Sequence, residues 1–240
     1  MNHLILVRHG QSVWNLEKRF TGWVDVELSD KGKLEANKSG ELIKKLNIKV
    51  NSFFASYQKR AIDTLDLILN ILYVKPNYIT KAWELNERHY GELTGLNKDE
   101  MKKVYGEKKI HIFRRSWDMS PAPLDKKNPY HPLNIEIYKN IQKHKIPDTE
   151  SLKDTYERVI YYYLKNIEPL IQNGQNVLIS AHGNTLRALC KKLFNISNKD
   201  ISRLEIPTGN PLLIKFKNNL KINGCRYLDS SRSKDLLVKF

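Results

Sequence analysis

The sequence predicts an α/β fold with a mostly parallel sheet and helices on both faces, and three observations carry that expectation. Short apolar runs alternate with segments of helical periodicity. A long irregular segment separates two such regions. Two of the apolar runs end in nearly the same way, Val7-Arg8-His9-Gly10 and Ser180-Ala181-His182-Gly183. A chain of 240 residues can form one large domain of this kind.

The elements follow in order. Leu4 to Val7 is uninterrupted apolar sequence, as expected of a strand buried on both faces. Leu28-Ser29-Asp30-Lys31-Gly32 opens a helix along which Leu34, Ala36, Leu42, Ile43 and Leu46 recur at near-helical spacing. Phe53-Phe54-Ala55-Ser56 reads as a second strand. Lys59 to Leu72 reads as a second helix, with Ile62, Leu65, Leu69 and Leu72 on one stripe. Residues 86–150 are rich in Pro, Asn, His and basic residues, and Pro121, Pro123, Pro129 and Pro132 forbid long regular elements. One modest helix is expected near Lys98 to Tyr105, and the whole segment reads as an insertion serving as a lid or binding loop. Ser151-Leu152-Lys153-Asp154 is a capping box with Asp in place of the usual Glu or Gln. Its helix should run to about Ile167, with Pro169 near the end. Asn176 to Ala181 is a third buried strand, Thr185 to Phe194 the helix after it, and Leu212–Phe216 and Arg226–Leu228 are late strands. The expected organisation is one domain over 1–240, with the insertion at about 86–150 and a short tail at 229–240.

Composition narrows the function. Forty per cent hydrophobic and ten per cent aromatic residues are globular proportions. The apolar run before Arg8 is too short for a signal-peptide core, and no later stretch reaches the length of a membrane span, so a cytoplasmic protein is expected. Cys190 and Cys225 lie in no CxxC pair, which gives a structural zinc site no support. Lys and Arg outnumber Asp and Glu by 41 to 26, a net charge of +15. That excess admits nucleic acid, an anionic membrane or a polyanionic small molecule. The lysines are scattered, and no helix-turn-helix, RNP or zinc signature accompanies them, so neither nucleic acid nor membrane is the expected partner.

The twin strand ends carry the chemistry. Ligands of open α/β sheets bind beyond the carboxyl ends of strands. Adjacent parallel strands would bring His9 and His182 about 4.8 Å apart there. A neutral imidazole has one lone pair for attack, while an acceptor holds its other nitrogen. The second histidine, if protonated, can donate to phosphoryl oxygens. Arg8 adjoins His9 and Arg60 opens the helix after the second strand; guanidinium forks match a tetrahedral oxyanion and stay charged. Phosphoryl transfer requires little beyond in-line positioning and neutralisation of spreading charge. Paired histidines could instead bind a metal, but arginine beside them argues against a dication. The expected site is metal-free, with His9 as phosphoryl acceptor.

The blocks Leu6-Val7-Arg8-His9-Gly10-Gln11-Ser12, Trp14-Asn15 and Phe20-Thr21-Gly22-Trp23 open a longer series. Leu85-Asn86-Glu87-Arg88-His89-Tyr90-Gly91, Leu96-Asn97-Lys98 and Arg114-Arg115-Ser116 follow. Ala181-His182-Gly183-Asn184, Leu186-Arg187-Ala188-Leu189 and Ile206-Pro207-Thr208-Gly209 complete it. In this order, over nearly the whole chain, the series resembles the cofactor-dependent phosphoglycerate mutases. The resemblance implies the histidine phosphatase fold, a three-layer α/β/α sandwich. It implies a glycolytic and gluconeogenic interconversion of 3-phosphoglycerate and 2-phosphoglycerate, through phosphorylated His9, primed by 2,3-bisphosphoglycerate and without metal. Glu87 becomes the proton donor and acceptor for the substrate hydroxyl. Arg8, Arg60, Asn15 and the Gly183 backbone surround the transferring phosphoryl group, with His182 as stabiliser. Arg114, Arg115, Lys98 and Tyr90 hold the far phosphate and carboxylate; Arg88, Ser12, Thr21, Gly22 and Asn184 contribute. A homodimer, or a tetramer, is the implied assembly. Retention of Ser12, Thr21 and Gly22 favours a monophosphoglycerate mutase over a bisphosphoglycerate mutase or phosphatase on the same scaffold. Val13, Glu84 and the short tail depart from the family pattern.

Overall fold

Strand β1 (Asn2–Arg8) is the centre of the molecule, and its Leu4 to Val7 are almost completely inaccessible. The computed structural model describes residues 2–75, 78–217 and 219–238; Lys239 and Phe240, the end of the expected tail, lie outside them. After β1 the chain forms the single turn α1 (Val13–Leu16), helix α2 (Asp30–Lys44), strand β2 (Ser52–Ala55), helix α3 (Lys59–Leu72) and the short strand β3 (Thr80–Lys81). The insertion carries α4 (Lys98–Tyr105) and α5 (Glu107–Arg115). Helices α6 (Leu152–Tyr162) and α7 (Glu168–Gln172) then lead to strand β4 (Val177–Ala181), helix α8 (Gly183–Leu193), and strands β5 (Leu212–Phe216) and β6 (Ile222–Tyr227). The sheet order is β3-β2-β4-β1-β5-β6. The β1–β4, β4–β2 and β2–β3 pairings are parallel, and β5 and β6 are antiparallel to their neighbours.

Alternation of side chains along each strand creates the layers. Leu4, Leu6, Phe54 and Ile179 face one side, against Val159 of α6 and Leu186 and Leu189 of α8. Ile5, Val7, Phe53 and Leu178 face the other, against Ile43 of α2 and Leu65, Ile68 and Leu69 of α3. The result is the three-layer α/β/α sandwich. No helix among the described residues is long and apolar enough to cross a membrane.

Several boundaries differ from expectation for local reasons. The helix begun at Ser151 continues past Ile167 to Gln172, through a π-helical stretch over Tyr163–Ile167. Pro169 lacks an N–H and its ring crowds the preceding turn, and the wider π spacing accommodates both. Strand β6 begins four residues before the expected Arg226; it is an edge strand, half exposed, with a weak apolar signal. Helix α5 was not expected. It is mostly charged, yet its Ile110 and Phe113 pack with Phe20 and Leu93 in a small core beside the main one.

One buried ion pair fixes the loop that leads from β3 into the insertion. Arg158 of α6 pairs with Glu150 at 2.7 and 3.0 Å. The same guanidinium donates to the carbonyls of Glu84 (2.6 Å), Asn86 (3.0 Å) and Glu87 (3.0 Å). Glu150 in turn accepts from the His89 N–H at 2.8 Å. Arg158→Met would leave the buried Glu150 carboxylate without its counter-charge and the Glu84 and Glu87 carbonyls without their Arg158 donor, while Asn86 O keeps Thr185 Oγ1 at 2.7 Å. The expected loss of stability is about 3–5 kcal/mol, read as a lowered denaturant midpoint; an unchanged midpoint would show that the clamp does not hold this loop.

Candidate functional site

His9 follows β1 directly, and its N–H donates to Ala181 O at 2.9 Å, extending the β1–β4 ladder by one bond. The register Arg8↔Ala181 therefore sets His9 beside His182, with ring centroids 5.0 Å apart and planes at 60°. His9 Nδ1 lies 2.6 Å from Gly10 O, so the proton sits on Nδ1 and the lone pair on Nε2. Burial, then the charges of Arg60 and Arg8, hold the His9 imidazole well below the usual histidine range. It is neutral and nucleophilic at physiological pH. Gly10 is obligatory here, because a Cβ would sit 2.1 Å from Gly32 O at the start of α2.

His182 ends β4. Its Nε2 lies 2.7 Å from Ser56 Oγ, and its Nδ1 is buried without a protein partner among the described residues. Burial, then Arg60, His9 and Arg8, hold this imidazole too well below the usual range. Protonation, the condition under which sequence reasoning let this ring donate, is disfavoured here: two guanidiniums already supply the positive charge. A neutral ring still has one N–H to donate.

Arg60 is buried at the start of α3 and donates to Val24 O (2.8 Å) and Gly22 O (2.9 Å). Gly22 has φ +54°, a conformation that favours glycine, and a Cβ there would crowd the Tyr90 backbone. Arg8 Nη1 donates to Ile206 O at 2.8 Å, while its Nε is buried without a protein partner. Glu87 Oε1 accepts from Arg88 N (2.8 Å), Asn184 Nδ2 (2.9 Å) and Asn184 N (3.2 Å). Its Oε2 has no hydrogen-bond partner among the described residues and is the free atom of the carboxylate.

These groups surround a cavity of about 460 Å³ lined by Arg8, His9, Asn15, Thr21, Gly22, Arg60, Glu87, Tyr90, Lys98 and Arg114. An adjoining recess of about 210 Å³ adds Arg115, Gly183 and Asn184. Burial, then Arg114 and Arg8, push the Lys98 ammonium down to about 7, against the opposing charges of Glu87 and Asp99. Three of the expected residues line neither cavity: His182, which stands buried behind His9, and Ser12 and Arg88. Ser12 is buried and caps α1, exchanging hydrogen bonds with Asn15 at 3.2 Å. Arg88 is buried under the Tyr90 ring, its guanidinium 4.6 Å from the centroid. Ser12 and Arg88 support the lining. Arg115 faces the recess but is engaged by Glu205 at 3.2 Å.

Sequence reasoning missed three supporting groups. Gln58 Nε2 donates to Gly22 O (2.8 Å) and its Oε1 accepts from Glu87 N (2.9 Å), tying two lining loops together. Buried Arg187 donates to Asn184 Oδ1 (3.0 Å), which orients that amide so that Nδ2 reaches Glu87 and the Tyr90 hydroxyl. Ser56 is the third. Arg187 lies in the Leu186-Arg187-Ala188-Leu189 segment, but only its contacts give it a role; Gln58 and Ser56 had no signal beyond their nearness to Arg60.

Two neutral imidazoles at adjacent strand ends, flanked by arginines and a carboxylate, on a three-layer sandwich, define a histidine-based phosphoryl-transfer protein. The family model of the histidine phosphatase superfamily (branch 1) matches residues 4–129 and 125–221, and the chain belongs to that superfamily. Within it, the chain belongs with the 2,3-bisphosphoglycerate-dependent phosphoglycerate mutases. It is 63% identical over 238 residues to the protein of that name from Pelagibacter ubique, covering 99% of this chain and 100% of the relative. It is 47% identical over 228 residues to its namesake from Hydrogenobaculum, covering 95% and 92%. A mycobacterial glucosyl-3-phosphoglycerate phosphatase shares the fold, with a TM-score of 0.68 at 20% identity over 95% of this chain and 97% of that one.

Proposed function

We propose that this protein interconverts 3-phosphoglycerate and 2-phosphoglycerate through a phosphohistidine at His9, with 2,3-bisphosphoglycerate as the primer and no metal. The observation that carries this reading is the pairing, in one cavity, of a lone pair at His9 Nε2 with a carboxylate at Glu87 and a second set of cations beyond it. Lys98 of α4 and Arg114 and Arg115 of α5 come from the insertion and suit the far anionic end of a phosphoglycerate. The unpartnered buried donors at Arg8 Nε and His182 Nδ1 suit the near phosphoryl group.

The residues divide the work as follows. Glu87 Oε2 takes the proton of a substrate hydroxyl as that oxygen bonds to the phosphorus on His9 and the phosphorus–Nε2 bond breaks. His9 Nε2 then bonds to the other phosphorus, its ester bond breaks, and Glu87 returns the proton to the departing oxygen. Arg8, Arg60, Asn15 and the Gly183 N–H neutralise the spreading equatorial charge, and His182 donates from its N–H. Ser12, Thr21, Gly22, Arg88, Tyr90 and Asn184 shape and support the walls. The phosphoryl group passes between enzyme and substrate rather than to water, which is why a cationic insertion accompanies the nucleophile.

A coupled assay with 3-phosphoglycerate tests this. Formation of 2-phosphoglycerate is expected, strongly stimulated by 2,3-bisphosphoglycerate. Release of phosphate without 2-phosphoglycerate would assign a phosphatase instead.

A further inference from the structure

We propose that Ser56 is a positioning residue that locks neutral His182 in the Nδ1–H tautomer and so makes it a fixed donor toward the phosphoryl group. The inference rests on the phosphoryl-transfer reading above and adds a group that reading does not use.

Ser56 directly follows β2 and is completely buried. Ala55 pairs with Ser180 in the parallel ladder, so the residue after β2 comes level with the end of β4, where His182 begins to turn away. Its hydroxyl has two contacts among the described residues: it accepts from the Gln58 N–H at 3.1 Å and lies 2.7 Å from His182 Nε2. A serine hydroxyl has one hydrogen to give. The Gln58 contact uses an oxygen lone pair and leaves that hydrogen in need of an acceptor. His182 Nε2 is the acceptor available, and it can serve only when it carries no proton of its own. The opposite assignment, with Nε2–H donating to Ser56, would leave a buried hydroxyl hydrogen unsatisfied.

The choice has a chemical consequence because the ring is neutral. In the Nδ1–H tautomer the atom without a protein partner is a donor, beside His9. In the Nε2–H tautomer the same atom is a lone pair and would repel an anion. Protonation would remove the distinction, but burial and then the neighbouring Arg60 and Arg8 oppose it. Ser56 therefore decides whether His182 attracts or repels the group being transferred.

The test begins on the resting protein without substrate, by nitrogen-15 NMR of labelled histidine, with the His182 signals identified by their loss in His182→Gln. The expected wild-type spectrum has a protonated Nδ1 and a bare Nε2. A protonated Nε2 overturns the proposal, whatever the substrate proves to be and whether or not any Ser56 variant folds. In Ser56→Ala, the His182 tautomer should shift toward Nε2–H. The rate of His9 phosphorylation by 2,3-bisphosphoglycerate should fall about ten- to hundredfold, less than the roughly 10²–10³-fold cost of removing a transition-state donor outright, because the ring stays in place and only its tautomer shifts, with KM nearly unchanged. Ser56→Thr keeps the hydroxyl and should recover the tautomer and most of the rate. A folded Ser56→Ala with wild-type tautomer and rate overturns the assignment. If no phosphohistidine forms even in wild type while the tautomer is as expected, the phosphoryl-transfer reading has failed, not the tautomer assignment.

Discussion

His9→Ala is expected to lower turnover by about 10⁵-fold or more, on the scale of nucleophile removal in other covalent enzymes. It should take up no label from bisphosphoglycerate labelled in its phosphoryl groups. Wild type should retain an acid-labile phosphohistidine under the same conditions, insensitive to chelators. The reasoning is local. His9 Nε2 is the lone pair left free by the Nδ1 contact to Gly10 O, inside the cavity that Arg8 and Arg60 line. His182 cannot replace it if its own lone pair is occupied by the Ser56 hydroxyl. The fold should survive, since the lost side chain is neutral and its one side-chain hydrogen bond among the described residues is to the adjacent carbonyl. Label retained in His9→Ala would place the acceptor elsewhere.

The second large effect is expected at Glu87. Glu87→Gln is nearly isosteric, and its carbonyl oxygen can still accept from Arg88 N and from Asn184. Binding should persist, with KM within a few-fold of wild type. The amide, however, cannot take the proton from a substrate hydroxyl or return it. The expected loss in kcat is about 10²–10⁴-fold, the usual worth of general acid–base catalysis. Steady-state kinetics read both parameters, and an unchanged kcat would remove Glu87 from proton transfer. A fall confined to KM would make it a binding residue only.

Legibility differed between parts of the molecule for physical reasons. Strands β1, β2 and β4 were plain because both faces of each are buried, so nearly every residue is apolar. The two histidines were legible for the same reason: each stands at the point where such a run stops. Helix α5 was not, since its burial rests on Ile110 and Phe113, with half-buried Ile112, among six charged or histidine residues that read as solvated. Strand β3 has two residues and owes its pairing to β2, not to a pattern of its own. The hold of Arg158 on the carbonyls of Glu84, Asn86 and Glu87, and of Asn184 on Glu87, connects residues distant in sequence, and nothing local marks a buried arginine as different from a surface one.

Sequence alone determined which chemical groups the site contains: two imidazoles after strands, arginines as fixed cations, a carboxylate in the block at Leu85 to Gly91, and membership of a family through ordered blocks. Tertiary structure alone decided their states. His182 is neutral and not protonated because burial and two neighbouring guanidiniums, brought from separate elements, make a further charge costly. Its tautomer depends on a serine 126 residues away. Proton positions and pKa values are set by the distances between charges and by the water excluded around them, and neither exists before the chain has folded.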